Sequence, residues 1–600
     1  MRRTKRRWIG IDGEGVGRTP HRYVMMAGSE GDVIERKGGL RTAECLEFLL
    51  RLGTRDARIA GYYLSYDWTK IIWELPETSI YTLLRPELRA RSKSEGGGFD
   101  RVKWGKYTLH FLAGAMWITH GRRKVTVWDL GKYYQGPFVG ALKDWDLAPE
   151  VRAHIESMKG KRAEFQWRER KSILRYCLAE CRALAELAEC LEQAHIDAGI
   201  KSRAWHGPGS TAGALLAREG IKDKLGPPLH PEIRAAAAVA YFGGRAEISC
   251  NGTIKRPVSE FDITSAYPRY ARDLPCLVHG RWGKTRSERI AATATIAIVN
   301  ASIDRVKSDW GPLPVRLTNG TIVYPRGGAS GYWYWTEWEQ AKHFDARLKF
   351  DHAYVYFTDC NCRPFAFIQQ IYERRAIVGK KTGEGRILKL GMNSVYGKLA
   401  QKIGPAQYGS TLWAGLITSG TRAQLLSLML RHKRLDSVLM LATDGLYSTE
   451  PIEIDPTPSL GAWERVDHPE GMTLVRPGIY WTPDGVLRAR GVGRANLETA
   501  RLLLSEGLAS GADRVRLPPR TAFGGARLTV YRSQSGLHRS ERYGQWYPIP
   551  TNMSLSPGPK RTTDWTPPRL SGVQSAPYNP RKDDLYDALE LQSSLTLAEM

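Results

Sequence analysis

Cysteine is scarce in this chain, with eight residues scattered over 600. The two close pairs, Cys177/Cys181 and Cys360/Cys362, have no second pair at zinc spacing and no histidine nearby in sequence, so they read as free, mostly buried thiols of a reducing compartment. Long hydrophobic runs are missing too. No stretch of 18 or more apolar residues occurs, and the basic start MRRTKRRWIGIDGEG has neither an apolar core nor a cleavage site, so we expect no membrane span, no secretion signal and a cytoplasmic protein. Acidic residues fall short of the basic ones: 62 Asp and Glu face 88 Lys and Arg, a formal charge of +26. Such an excess points to a polyanionic partner, and to nucleic acid before a membrane surface, since no amphipathic anchor or lipidation signal accompanies it. No internal repeat is visible. What remains, 42% hydrophobic and 25% charged, is ordinary for a globular chain of several domains.

Three stretches carry candidate chemistry. In EFDITSAYPRY, Glu260 to Tyr270, an apolar and β-branched run ends at Asp262 before Ser265, Tyr267 and Pro268, which predicts a strand delivering a carboxylate to its tip. In LKLGMNSVYGKLA, Leu388 to Ala400, helical spacing puts Arg386, Lys389, Asn393 and Tyr396 on one face. In SVLMLATDGLYSTE, Ser437 to Glu450, the Asp444-Gly445 pair between two extended runs predicts a tight hairpin with an acid at its tip. Any one of them is as readily a turn or a cap. Together, two strand-tip carboxylates and a cationic helix face are what a two-metal phosphoryl transfer requires.

Nearer the start lies a second set of acids. WIGIDGEGV, Trp8 to Val16, reads as a strand whose alternate residues Asp12 and Glu14 share a face; IAGYYLSYDWTKII carries Asp67; Arg168 to Leu187 reads as an amphipathic helix with Tyr176 and Glu180 one turn apart. Four acids from separate elements could hold two metal ions and activate water against a phosphodiester, whereas each alone would be a solvated surface acid. GEGVGRT lacks the Lys-Ser/Thr ending of a phosphate loop and is set aside.

These motifs resemble those of the family B DNA polymerases, most closely the protein-primed phage and plasmid branch, over about residues 8 to 500. The family's DxxSLYP matches Asp262, Ser265, Tyr267 and Pro268 with Ala266 in place of Leu, and KxxxNSxYG matches Lys389, Asn393, Ser394, Tyr396 and Gly397 in full. YxDTDS is altered: Thr443 and Asp444 match, but Ala442 and Gly445 replace the first Asp and the Ser. Asp12 and Glu14 match the family's exonuclease DxE, and Tyr66-Asp67 its second motif, with Tyr63 where Asn is expected and Glu180 for the last Asp. Trp128 and Asp129 resemble a structural strand end of that domain. Tyr241 to Gly244, YFGG, is similar to the family's template-contacting YxGG, and RPGIYW, Arg476 to Trp481, to its KxY, with Gly478 for Lys and Tyr480 kept.

The resemblance implies an α/β and α+β multidomain fold, a ribonuclease H-like 3′–5′ exonuclease followed by a right-hand palm, fingers and thumb. Its expected boundaries are 1–190 exonuclease, 191–240 connection, 241–290 palm, 291–365 an inserted subdomain of the protein-primed type, 366–405 fingers, 406–490 palm, 491–547 thumb and 548–600 a Pro-rich linker with a C-terminal helix. Most aromatics of the insert are expected in its core. The implied function is a template-directed DNA polymerase of a viral or plasmid genome, in the host cytoplasm if viral, with a proofreading exonuclease. Asp262 and Asp444 would bind two Mg²⁺ ions at the polymerase site, and Asp12, Glu14, Asp67 and Glu180 two more at the exonuclease site, with Mn²⁺ as a substitute. Lys389, Arg386 and Lys381 would hold the dNTP, Tyr267 would exclude a 2′-hydroxyl, and Asn393 and Tyr396 would line the base-pair pocket. Tyr241, Gly243, Gly244 and Tyr480 would touch DNA. Partners would be template and primer DNA, dNTPs and, if priming is by protein, a terminal protein, with the enzyme a monomer. Two rivals stay open: a nuclease with a non-catalytic polymerase-like half, motivated by Ala442, and a non-enzymatic DNA-binding factor.

Overall fold

The computed structural model describes residues 7–555 apart from positions 55, 93, 96, 160, 403–405, 433, 456, 491 and 493–496, and then residues 560–562 and 576–578. The chain begins with an eight-stranded mixed sheet in the order β3-β2-β1-β4-β8-β7-β6-β5. Its strands are β1 (Arg7–Val16), β2 (Arg22–Gly28), β3 (Val33–Glu35), β4 (Ala57–Gly61), β5 (Val102–Trp104), β6 (Tyr107–Leu112), β7 (Ala115–His120) and β8 (Arg123–Asp129). β1 is almost wholly buried because it is central and covered, parallel to β4 and antiparallel to β2. The long helix Arg170–Asp197 lies on it so closely that a Cβ at Gly10 would sit 2.9 Å from the backbone nitrogen of Ala185, which leaves room only for glycine. This helix runs past the expected boundary at 190, and Pro208–Arg218 and Pro231–Val239 follow as connecting helices.

A five-stranded antiparallel sheet forms the middle of the molecule, in the order β20-β11-β19-β18-β9. It is assembled from β9 (Arg245–Ile248), β11 (Val258–Ile263), β18 (Val438–Thr443), β19 (Gly445–Ser448) and β20 (Trp463–His468), while β10 (Gly252–Ile254) joins a neighbouring sheet. The helix Thr411–Arg431, buried on nearly all sides, backs it. Between β11 and β18 the chain makes β12 (Arg281–Thr285), β13 (Ile296–Val306), the short ladder β14 (Val315–Arg316) and β15 (Ile322–Val323), β16 (Ala329–Tyr334) and β17 (Ala346–Phe357). β12, β17, β13 and β16 form one sheet, so the insert starts about ten residues before the expected position 291 because β12 pairs with β17. Trp310, Trp333 and Trp338 are fully buried, as expected for core aromatics. Two helices, Phe367–Val378 and Gly383–Leu399, then pack against each other.

Two sequence expectations are corrected here. The prolines after Tyr547 do not begin a linker: Trp546–Ser554 is a strand paired with Arg514–Phe523. Among the described residues each of these strands has one neighbour, so Pro548 and Pro550 can face the open edge, where no ladder N–H is needed. Arg561–Thr562 then pairs with Ala576–Pro577, and the expected C-terminal helix lies outside the described residues. Nor is the Cys360/Cys362 pair without a histidine: His279 Nδ1 lies 3.6 Å from Cys362 Sγ, across 83 positions of sequence. All eight thiols are free, five of them buried. No described helix is long and apolar enough to cross a membrane.

Candidate active site

Asp262 is the penultimate residue of β11, with Gly445 of β19 opposite on one side and Glu464 of β20 on the other. β18 and β19 form the expected hairpin, but its register is shifted by one residue. Ala442 pairs with Gly445, so the two turn residues are Thr443 and Asp444, with Thr443 in the left-handed region at φ 63°. The Ile263 N–H donates to the Asp444 carbonyl at 3.0 Å, which docks the hairpin tip beside the end of β11. Two strands far apart in sequence thereby deliver two carboxylates to one place. Although Asp262 keeps an exposed side chain, the protein packed around the strand end pushes its carboxyl up to about 7, with the charges of Asp444, Glu260 and Glu464 adding to the effect. Burial likewise raises Asp444. Neither carboxylate has an ion pair among the described residues, and an uncompensated group of oxygen ligands is a donor set suited to a hard divalent cation. Glu464 went unnoticed in the sequence; only the β11–β20 register, invisible to spacing rules, places it opposite Asp262.

Tyr267 follows on the helix Ala266–Arg272, its ring 4.6 Å from that of Tyr396. Tyr396 in turn shares a 2.6 Å hydroxyl hydrogen bond with Tyr241. This tyrosine chain ties the Gly383–Leu399 helix to the helix that follows Asp262 and to the Tyr241–Gly244 segment. From Tyr396, two turns back along the same face, lie Asn393 and Lys389, both exposed, and then Arg386. At 1.5 Å per residue Lys389 stands about 10 Å along the axis from Tyr396, and it makes no hydrogen bond or ion pair among the described residues. Arg386 Nε donates to the Lys381 carbonyl at 3.0 Å, and the Lys381 side chain is exposed at the helix start.

The Tyr241–Gly244 segment runs into β9, which pairs with β18 next to the hairpin tip. A Cβ on Gly244 would meet Thr443 at 2.6 Å, whereas one on Gly243 would meet nothing within 4 Å. The close approach required at Gly244 is therefore to the Asp444 hairpin. Arg422, fully buried, holds this segment: Nη1 donates to the carbonyls of Phe242 and Gly243 at 2.6 and 2.7 Å, and the guanidinium forms two 2.6 Å bonds to Glu337. Nothing in the sequence marked this pair, because its members come from different segments and each resembles a surface residue. Tyr480 is placed differently from the expected DNA contact. It is 4% exposed, and its hydroxyl pairs at 2.9 Å with Tyr447, which donates to Glu260.

The second set of acids lies on the first sheet. Asp12, Glu14 and Glu180 bring carboxylate oxygens within 4.8 Å of one another, because β1 aims two of them at the helix carrying the third. Asp67, in the first turn of Ser65–Ile71, stands apart from that close group and accepts from the Tyr23 hydroxyl at 2.9 Å. Burial pushes Glu14 and Asp67 up to about 7 and raises Asp12 as well. Against the upward push of burial, Arg162 and Lys159 hold Glu180 down to about 2. Arg162 Nη2 bonds Asp12, Glu14 and Glu180 at 3.2, 2.9 and 2.6 Å, and Lys159 reaches Glu180 at 2.9 Å. The guanidinium thus sits among the three carboxylates as a cation would, evidence that this donor set calls for positive charge. Neither basic residue was singled out from sequence. Asp129 accepts from the backbone N–H groups of Tyr63 and Gly131, a structural role, and Tyr63 is exposed with φ 52°.

The family profile for DNA polymerase type B, organellar and viral, matches residues 149–408. No curated protein matches the chain by sequence. By structure, the chain is similar to phi29 DNA polymerase complexed with primer-template DNA and incoming nucleotides, at a TM-score of 0.59 and 14% identity, covering 92% of this chain and 100% of that one. Against the orthorhombic crystal form of phi29 DNA polymerase the TM-score is 0.60 at 13% identity, with the same coverage. At such identity the likeness is one of fold.

Proposed function

We infer that this chain, a family B DNA polymerase of the organellar and viral type, extends a primer on a template at the site formed by Asp262 and Asp444. The observation that carries this assignment is the docking of the β18–β19 hairpin tip beside the end of β11, which brings together two carboxylates that have no ion pair among the described residues. Divalent metal held by this pair, Mg²⁺ or Mn²⁺, would supply the Lewis-acid and charge-balancing chemistry of phosphoryl transfer. The chain's own residues then have separable duties. Asp262 and Asp444 hold the cations; Lys389, with Arg386 and Lys381 toward the helix start, neutralises triphosphate charge. Tyr267, braced by Tyr396, presents its ring to the sugar, where a 2′-hydroxyl would clash. Tyr396 and Asn393 border the base-pair pocket, and the Tyr241–Gly244 segment carries the template strand past the hairpin.

The first sheet and the Arg170–Asp197 helix are assigned a 3′–5′ exonuclease role, with Asp12, Glu14 and Glu180 as the metal-holding acids and Asp67 as their more distant companion. The β12–β17 sheet between β11 and the helix pair is assigned to template and priming-protein contacts. In a primer-extension assay with Mg²⁺ and dNTPs, wild-type protein should extend, Asp262→Ala and Asp444→Ala should each lose about a thousandfold or more, and Asp12→Ala should extend normally while failing to degrade a mismatched end. Wild-type extension as weak as that of Asp262→Ala would overturn the assignment. Labelled dATP offered with a candidate terminal protein tests protein priming through covalent nucleotidylation.

A further inference from the structure

We propose that Cys276, His279, Cys360 and Cys362 form a structural Zn²⁺ site that clamps the root of the inserted sheet, independent of the ions of phosphoryl transfer. One ligand atom from each of the four residues lies within 4.8 Å of every other. His279 Nδ1 is 3.4 Å from Cys276 Sγ and 3.6 Å from Cys362 Sγ. In a tetrahedral site with Zn–S near 2.3 Å and Zn–N near 2.1 Å, a sulfur and a nitrogen stand about 3.6 Å apart and two sulfurs about 3.8 Å. The apices are therefore already close to where a single ion would hold them.

Chain topology brings them there. Cys276 and His279, a Cys-x-x-His step, precede β12; Cys360 and Cys362 follow β17; and β12 and β17 are antiparallel partners, with Arg281 opposite Phe357. Both ends of the insert thus emerge side by side at the four ligands. Thr358 ties the two limbs, its hydroxyl donating to the His279 carbonyl at 3.1 Å and accepting from the Cys360 N–H at 3.3 Å. The Val278 N–H points at Cys276 Sγ at 3.4 Å, a contact that favours a thiolate over a thiol. Three sulfurs and one imidazole select zinc over hard cations such as Mg²⁺, and with all four positions filled by protein the ion would be structural. Fixing this root also fixes what adjoins it. The Pro275 carbonyl accepts from Trp413 Nε1 of the central helix at 3.0 Å, and Phe367–Val378 begins a few residues after Cys362.

The test uses the full chain, purified with reductant and without chelator. Elemental analysis should find about one zinc per chain, released when a mercurial titrates the thiols. Cys362→Ser and His279→Ala should each lower the content from about one to near zero, whereas Asp262→Asn, which removes a polymerase-site ligand, should leave it unchanged. Cobalt exchanged into wild-type protein should give thiolate-to-metal charge transfer and the intense d–d bands of a tetrahedral site, a readout that holds if the variants misfold. A wild-type chain that stays metal-free after zinc supplementation would overturn the proposal. So would a metal content indifferent to Cys362→Ser and His279→Ala, or a non-reducing peptide map joining Cys276 to Cys360 or Cys362.

Discussion

At the scale of single residues, the most telling placement is Arg162. Its guanidinium holds three carboxylates that would otherwise repel one another, and a divalent ion entering the same space must displace it. Arg162→Gln should therefore destabilise the metal-free protein by about 1–3 kcal/mol, below the range for a fully enclosed pair because 29% of the Arg162 side chain is exposed. Saturating Mg²⁺ should restore most of the loss. Thermal melts in chelator and in Mg²⁺ check this, and an equal deficit in both would refute it. Asp262 gives a second residue-scale expectation. Its carboxyl titrates near 7 in the folded, metal-free state and near the ordinary carboxylate value when unfolded, so the folded state binds the extra proton between about 4 and 7. Stability of the metal-free protein should accordingly fall as pH rises through that window. A proton on Asp262 also competes with the cation, so the metal needed for primer extension should climb as pH drops through 7. Glu464→Gln removes one of the raising charges and should move that acidic limb down by about half a pH unit. Metal titrations of primer extension at several pH values decide it; a limb that stays put or moves up would remove Glu464 from the site.

Between residues and the whole lie the elements, where the β18–β19 hairpin is the decisive one. Gly244 lets β9 lie against Thr443, and an added methyl would press at 2.6 Å on the turn that presents Asp444. With Asp444 in the metal-holding role proposed above, displacing it by even about 1 Å costs on the order of a hundredfold, so Gly244→Ala should cut primer extension at least about tenfold. Gly243→Ala, facing open space, should stay within about twofold of wild type. Equal effects from the two would mean that the glycines serve DNA directly, as their sequence pattern suggested. The same hairpin shows how far the sequence could be read. Apolar runs flanking Asp444 announce two strands, and helical spacing announces the face of Lys389 and Asn393, because both signals are local. The one-residue shift that puts Thr443 into the left-handed turn position is not local: it follows from pairing with β9 and β11. Long-range pairing likewise hid Glu464, Arg422 with Glu337, and His279 beside Cys362, each of which looks like an ordinary surface or core residue until the segments meet. Tyr480 shows the converse: a motif position whose side chain the fold has turned inward.

Over the whole molecule, the chain's later part returns to its beginning. The hairpin of Val530–Ser533 and Gly536–Arg539 and the strand Trp546–Ser554 lean on the first sheet's helices, with Trp546 stacked on Tyr66 beside Asp67. Lys70, mostly buried and pushed down to about 8 by that burial, donates to the carbonyls of His21 and Gly544, and Tyr543 donates to the Thr69 carbonyl at 3.0 Å. Arg539 adds a further link, donating to the Trp73 and Leu75 carbonyls at 2.8 and 2.7 Å and pairing with Glu77 at 3.0 Å. Those carbonyls lie in the turn between the helices Ser65–Ile71 and Glu77–Leu84. This return brings the segment after the central site against the acids of the first sheet, and so ties the two candidate catalytic centres mechanically. Removing a charged donor from two carbonyls costs about 2 kcal/mol, or roughly thirtyfold in the population with the hairpin detached. Arg539→Ala should therefore speed limited proteolysis within 524–546 by about ten- to thirtyfold while leaving cleavage elsewhere unchanged. Should the variant be cut at the wild-type rate, the contact is incidental and the two centres are joined only through the connecting helices.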